Sequence, residues 1–506
     1  MDVSNILSIR DMDAQSSSPL YLQIAELIAT KIHNSEFPSN TKLPPERELS
    51  RIFGVSRTTA INVYRHLEKL GLVSTRVGSG TYVTPSHSAP QHADRSIPWS
   101  QLFVPYLQTP LASILKELVS TPALTDNISL AAGMPCPTLY PIDHFNQLVA
   151  THLTSTPSAD FGHIPTEGYS PLRSSIANML SNKGISATAA STMILSGSQQ
   201  SLYLICKTFL DPGDYVIVEA PSYIGAIQSF QSSGARLLTI PVSDRLDLDL
   251  IEDYLIRYRP KLFYIMPNFQ NPSGRVLSLQ ERQDLLELAA RHRLVIVEDD
   301  AYGDLHFDKQ PPPPLKALDT YGGVLYLGSF SKILFPGLRI GWLVGPQEVI
   351  HRLALEKQYI DLHSNNWTQW LMHKFLEENL LSNHLSIVRT EYKKRRDIAI
   401  QALNRYCGDN LEFSIPEGGF YFWCTLKSDC APRTLLHEAA KQGVSFVPGE
   451  AFYPSSAATS QIRLCFTSNN SEQLVEGIRR LGRALHKTTK GVSFKNSPAA
   501  SSLPII

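Results

Sequence analysis

The sequence has no excess of charge of either sign: 46 Lys and Arg stand against 46 Asp and Glu in 506 residues. Affinity for a polyanion must therefore come from a local patch rather than from the field of the whole chain. Paired cysteines are also missing. Cys136, Cys206, Cys407, Cys424, Cys430 and Cys465 are scattered with no CxxC spacing, which argues against a metal site and for reduced thiols in a cytoplasmic protein. No uncharged apolar run approaches the ~18 residues that a membrane span requires. The opening MDVSNILSIRDMDAQ carries acids and no apolar h-region, so a signal peptide is not expected. There is no internal repeat. What remains is an ordinary globular composition, 43% hydrophobic and 18% charged, in a chain too long for one core; two or more domains are expected.

Residues 1–18 are read as a flexible N-terminus and 19–85 as a compact first domain. Residues 86–127 are read as a linker opening on PSHSAPQHADRSIP. From 128 to 486 helical patterns alternate with short β-branched runs, which predicts an α/β domain on a mostly parallel sheet. Residues 487–506, polar and lightly basic, are expected to be a disordered tail.

In the first domain LYLQIAELIATKI predicts an amphipathic helix with Leu20, Ile24, Leu27 and Ile28 on one side. Pro44 and Pro45 open a short helix that stops at Gly54, and Ser56 caps a third, RTTAINVYRHLEKL, which ends at Gly71. Ala60, Val63, Tyr64, Leu67 and Leu70 should pack inward; Arg57, Thr58, Ile61, Asn62 and Arg65 should face out. LVSTRVGSGTYV predicts two strands around Gly78, Ser79 and Gly80. Residues 40–85 hold seven Lys or Arg against three Glu, a local excess of the kind that phosphate contacts need. Two short helices, a tight turn and a hairpin suit a winged helix-turn-helix reading double-stranded DNA. A small helical protein-interaction domain with solvated charges is the alternative.

In the large domain the informative segment is SFSKILFPGLRIGW. Lys332 lies between two predicted strands, where its amine can form a Schiff base with an aldehyde cofactor. The partners that pyridoxal phosphate demands follow in order along the chain. Asp299, ending the strand RLVIVEDD, can meet the pyridine nitrogen. Asn271 in NFQNPSG and Tyr302 in DDAY can donate to the phenolate oxygen, and Tyr223 in EAPSYIG can stack on the ring. Gly197, Ser198 and Gln199 open a helix suited to a phosphate, with Ser329 and Arg339 flanking the lysine. Singly, Asp299 could be a helix cap, Asn271-Pro272 a plain turn and Arg339 an ion-pair partner.

Two resemblances carry these readings further. PLYLQIAELIATKI, KLPPERELSRIFGVSRTTAINVYRHLEKLGLV and RVGSGTYV resemble the GntR-type winged helix. That implies that Arg47, Arg57, Thr58 and Thr59 approach DNA, with Gly78 and Gly80 shaping the wing. Ile61 stands where some relatives carry Arg, which bears on the operator sequence. The order of the large domain resembles the fold-type I aminotransferases over roughly 128–485, with a smaller C-terminal subdomain. It implies Lys332 as the Schiff-base lysine and Asp299, Asn271 and Tyr302 as ring partners. Ser198, Gln199, Ser329 and Arg339 become the phosphate cradle, and Arg463 the grip on a substrate carboxylate. His163 and Ile164 stand where relatives usually carry a Tyr-Gly pair whose Tyr reaches the neighbouring subunit's phosphate. Both domains in this order resemble the MocR-type regulators. The resemblance implies a homodimer that binds DNA and senses pyridoxal phosphate or an amino compound; a working aminotransferase is the rival expectation.

Overall fold

The computed structural model describes residues 19–33, 36–76, 79–84, 127–427, 430–455 and 459–491. The expected flexible N-terminus, Gly78 and nearly all of the linker lie outside the described residues. The chain divides into two compact units, Met1–Phe103 and Val104–Ile506.

In the first unit, α1 (Leu20–His33), α2 (Glu46–Phe53) and α3 (Arg57–Lys69) precede a hairpin of β1 (Val73–Arg76) and β2 (Gly80–Val83). Gly54, in the left-handed region at φ 64°, ends α2, and the Ser56 hydroxyl accepts from the Thr59 N–H to start α3. The turn between the two helices is thus fixed by one residue without a Cβ and one short polar side chain. Ile24, Ile28, Leu49, Phe53, Ala60, Val63, Leu67, Val73 and Val83 close one core. The hairpin pairs Val73 with Val83 and Arg76 with Gly80. Thr41–Leu43 adds a third rung, with Leu43 N–H donating to Thr81 and Val83 N–H to Thr41. Leu70, expected inside, is 56% exposed. It caps α3 rather than continuing it, because the chain turns at Gly71, φ 71°, before the helical stripe comes round again.

In the second unit, a short β3 (Ile128–Ser129) pairs with β13 (Val444–Ser445). The main sheet contains β4 (Thr192–Leu195), β5 (Tyr215–Ala220), β6 (Arg236–Pro241), β7 (Leu262–Ile265), β8 (Val295–Asp299), β9 (Val324–Ser329) and β10 (Gly341–Val344). Their order is β4-β10-β9-β8-β7-β5-β6. β5 to β9 pair in parallel and β10 alone runs antiparallel to its neighbours. The central strands are mostly apolar up to their C-terminal ends, as LFYI and VLYLGS show, because both faces are buried. A second, antiparallel sheet follows near the C-terminus: β11 (Leu411–Phe413), β12 (Tyr421–Leu426), β15 (Gln461–Cys465) and β14 (Val447–Pro448). This is the α/β fold with a smaller C-terminal part that the sequence predicts. The boundary expected at 486 is corrected. The last helix runs from Ser471 to Gly491, with Thr488 Oγ1 donating back to Leu485 and Lys487 paired with Glu438, so Lys487–Gly491 are helical. Residues 492–506 lie outside the described residues. No helix among the described residues is long and apolar enough to cross a membrane.

Candidate functional site

The parallel strands end together; their ends and the loops after them carry most of the polar side chains that the sequence singles out, and Arg463 comes from β15 of the second sheet. Ser198, Tyr223, Asn271, Asp299, Tyr302, Lys332 and Arg463 line one pocket. Asp299 is the last residue of β8 and is 2% exposed. Its Oδ2 accepts from Tyr264 Oη at 2.9 Å, while its buried Oδ1 has no hydrogen-bond partner among the described residues. Burial pushes this carboxyl up to about 6. The next residue, Asp300, makes separate contacts: it accepts from Asn268, Tyr326 and Lys183. One of the two consecutive acids is thus fully compensated, and the other keeps an acceptor free.

Lys332 follows β9, and its Nζ donates to Gly133 O at 2.7 Å. Burial, then the nearby Arg463, pull this amine down to about 8. A side chain at position 133 would run into Tyr421, the Cβ lying 2.0 Å from its Oη; only glycine lets that loop reach the lysine. Tyr302 Oη lies 2.9 Å from Tyr421 Oη. Arg463 is 5% exposed. Nη1 donates to Asn271 Oδ1 and Nη2 to Ala131 O, each at 2.9 Å, and the guanidinium sits 4.1 Å from the Tyr421 ring centroid. Asn271 spends its carbonyl oxygen on that bond, which leaves its Nδ2 group as the available donor.

At the other end, α4 (Ser198–Phe209) begins after Gly197, whose φ of 93° suits glycine. Gly341 allows this helix start to lie against β10, since a Cβ there would sit 2.8 Å from Gly197 Cα. The cross-strand pairs Leu195–Gly341 and Gly341–Ser329 bring Ser329 to the same sheet end. Arg339 Nη2 donates to Ser196 O beside Gly197. Gln199 turns its side chain away. It bonds Tyr223 Oη at 3.2 Å and Gly225 O and Ser229 Oγ of α5 (Ile224–Ser232); its backbone N–H belongs to the first turn of α4. Unpaired first-turn N–H groups of this kind suit an anion. Ile164 is buried, and the His163 ring packs 4.8 Å from that of His363.

These groups fit pyridoxal phosphate. A buried carboxylate oxygen without a partner suits a protonated ring nitrogen, a helix start with glycine on both sides suits a phosphate, and a buried amine of lowered affinity for protons suits an aldehyde.

In the first unit Arg47, Arg57 and Thr58 are exposed. Arg57 Nη2 lies 3.3 Å from Glu46, and Thr59 Oγ1 is 2.8 Å from Ser56 Oγ. Gly80, φ 120°, has Lys42 Cε 3.0 Å from where its Cβ would stand. Arg76 and Lys42 lie over the Tyr82 ring at 5.0 and 5.9 Å, a basic pair beside the hairpin's Tyr82 that sequence reasoning did not single out. Tyr421, Tyr264 and Gly133 are the large site's additions.

The family described as "Aminotransferase class I and II" matches residues 145–481, and "Bacterial regulatory proteins, gntR family" matches 20–83. The chain is similar to the uncharacterized HTH-type transcriptional regulator YisV of Bacillus subtilis, 34% identical over 92% of this chain and 96% of that one. The HTH-type transcriptional regulator NorG of Staphylococcus aureus is 28% identical over 87% of this chain and 98% of its own length. Among solved structures, LysN, an α-aminoadipate aminotransferase from Thermus thermophilus complexed with N-(5'-phosphopyridoxyl)-L-leucine, superposes with a TM-score of 0.71 at 36% identity. It covers 78% of this chain and 99% of that one.

Proposed function

Because the chain belongs to the aminotransferase class I and II family and carries a gntR-family reader ahead of that domain, we propose that it is a MocR-type transcription regulator that binds DNA under the control of pyridoxal phosphate and an amino compound. The observation that carries this reading is coverage: relatives named as regulators match across both units, over 92% and 87% of the chain.

In this reading Lys332 holds the cofactor covalently, Asp299 meets its ring nitrogen, Asn271 and Tyr302 its phenolate oxygen, and Tyr223 its ring face. Gly197, Ser198 and the Gln199 N–H, with Ser329 and Arg339, hold the phosphate. When bound, the group supplies an aldehyde for amines and an electron-withdrawing ring. Arg463 grips the effector's carboxylate, and burial of Lys332 keeps a fraction of its amine unprotonated near neutrality. Arg47, Arg57, Thr58 and Thr59 contact DNA, and Gly78 and Gly80 shape the wing. The protein works in the cytoplasm as a homodimer. Tyr359, Ile360 and Leu362, 87%, 46% and 55% exposed, supply an apolar patch for a second copy. An effector shifts operator binding only through its differential affinity for two arrangements of the chain.

The test replaces Lys332 with Ala. The variant is expected to lose the bound cofactor's absorbance and the change in operator binding on adding pyridoxal phosphate and amines; a response equal to the wild type's sinks the reading. A second reading, a working aminotransferase, is favoured by the fully furnished pocket and the match to LysN. Steady product formation from an amino acid and 2-oxoglutarate would establish it, and a single slow half-reaction would refute it.

A further inference from the structure

One wall of the Lys332 pocket is apolar. Ala131 and Ile224 line it and belong to a buried cluster with Val447, Ala451 and Phe452. Met134, from the same loop as Gly133, also lines the pocket. This wall adjoins Arg463: the guanidinium donates to Ala131 O and lies 4.8 Å from the Phe452 ring centroid, while its buried Nε has no hydrogen-bond partner among the described residues. A group able to take a carboxylate and a surface able to take hydrocarbon therefore meet at one place. Among the described residues lining the pocket, Lys332 and Arg463 are the cations.

The chemistry of that wall discriminates between ligands. A second carboxylate laid against Ala131, Met134 and Ile224 gives up its hydration and receives nothing in exchange. An apolar side chain in the same position gains by leaving water. We propose that the amino compound is an α-amino acid with a single carboxylate and an apolar side chain, its carboxylate on Arg463 and its side chain on Ala131, Met134 and Ile224. This deepens the reading in which Lys332 carries pyridoxal phosphate and rests on it.

The experiment titrates the full-length, cofactor-loaded protein with L-leucine, L-methionine, L-glutamate and L-2-aminoadipate, following the cofactor's absorption and operator retention. Leucine and methionine are expected to half-saturate at concentrations at least about tenfold below the two dicarboxylic acids. Equal or reversed preference, or no response to any of the four, overturns the selectivity. Met134→Arg puts a cation on the wall and is expected to lower the half-saturation for glutamate by about tenfold while raising that for leucine. Unchanged preferences in a variant that still loads cofactor overturn the placement of the side chain. A wild-type protein that takes up no pyridoxal phosphate refutes the cofactor reading itself, an outcome separate from a loaded protein that prefers glutamate.

Discussion

An exposed lysine near pH 7.5 presents only about one amine in a thousand as the free base, whereas one that titrates near 8 presents about a quarter. Lys332 is in the second condition because burial and the Arg463 charge both penalise its ammonium form. The rate at which cofactor-free protein takes up pyridoxal phosphate should therefore rise with pH to a midpoint near 8. Arg463→Gln removes the larger of the charge effects that lower it and should move that midpoint upward; stopped-flow absorbance across pH 6–10 reads both, and a wild-type midpoint above about 10 refutes the account. Lys332, Asp299, Asn271, Tyr302 and Tyr223 could be placed from sequence because each sits beside a strand whose apolar run announces its end. Tyr421 could not. It stands in GFYFW, where every aromatic reads as core. Its contact with the pocket is set by the register that pairs it with Cys465, two residues beyond Arg463 on β15, and register between distant strands leaves no local mark. Leu70 fails for the opposite reason: helical periodicity continues in the letters after the helix has stopped.

Between elements, the loops after β5 and β7 are joined by Glu219. Its Oε2 accepts from Met266 N–H at 3.1 Å, and Gln270, next to Asn271, donates to Pro221 O at 2.7 Å. This clamp ties the loop that presents Tyr223 to the loop that presents Asn271. Burial pushes the Glu219 carboxyl up to about 7. A carboxyl raised in the folded state favours the fold below its ordinary range near 4.5. It loses that contribution as pH climbs through 7, because the folded chain must then bury a charge that the unfolded chain hydrates. Glu219→Gln keeps an acceptor without the charge. Its melting temperature relative to wild type should accordingly rise between pH 5 and pH 8, by the equivalent of up to about 3 kcal/mol. A difference that stays flat or falls over that interval excludes the assignment. The sequence announced the strands and the parallel sheet through their apolar runs, yet gave no hint of this clamp, since its partners lie 47 residues apart and bond through side chain and backbone.

Across the whole molecule, the two units have separate cores: Ile24, Phe53, Val63 and Leu67 close the first, and the strands of the main sheet organise the second. Separate cores predict separate responses. Leu67 is fully buried, and truncating such a leucine to alanine costs about 2–5 kcal/mol, a large share of what a domain as small as the first unit can hold. Leu67→Ala should thus abolish operator binding while cofactor uptake, which draws on residues from Ala131 onward, keeps its wild-type midpoint. Pyridoxal phosphate at about a hundred times its dissociation constant stabilises whatever binds it by ~2.7 kcal/mol. In calorimetry the cofactor should then raise the melting of the large unit by a few degrees in both proteins and leave that of the first unit where it was. Loss of cofactor uptake on Leu67→Ala, or a cofactor-driven shift in the first unit's melting, would mean that the two cores do not fold independently, and the ligand signal would then have to be sought in a shared core.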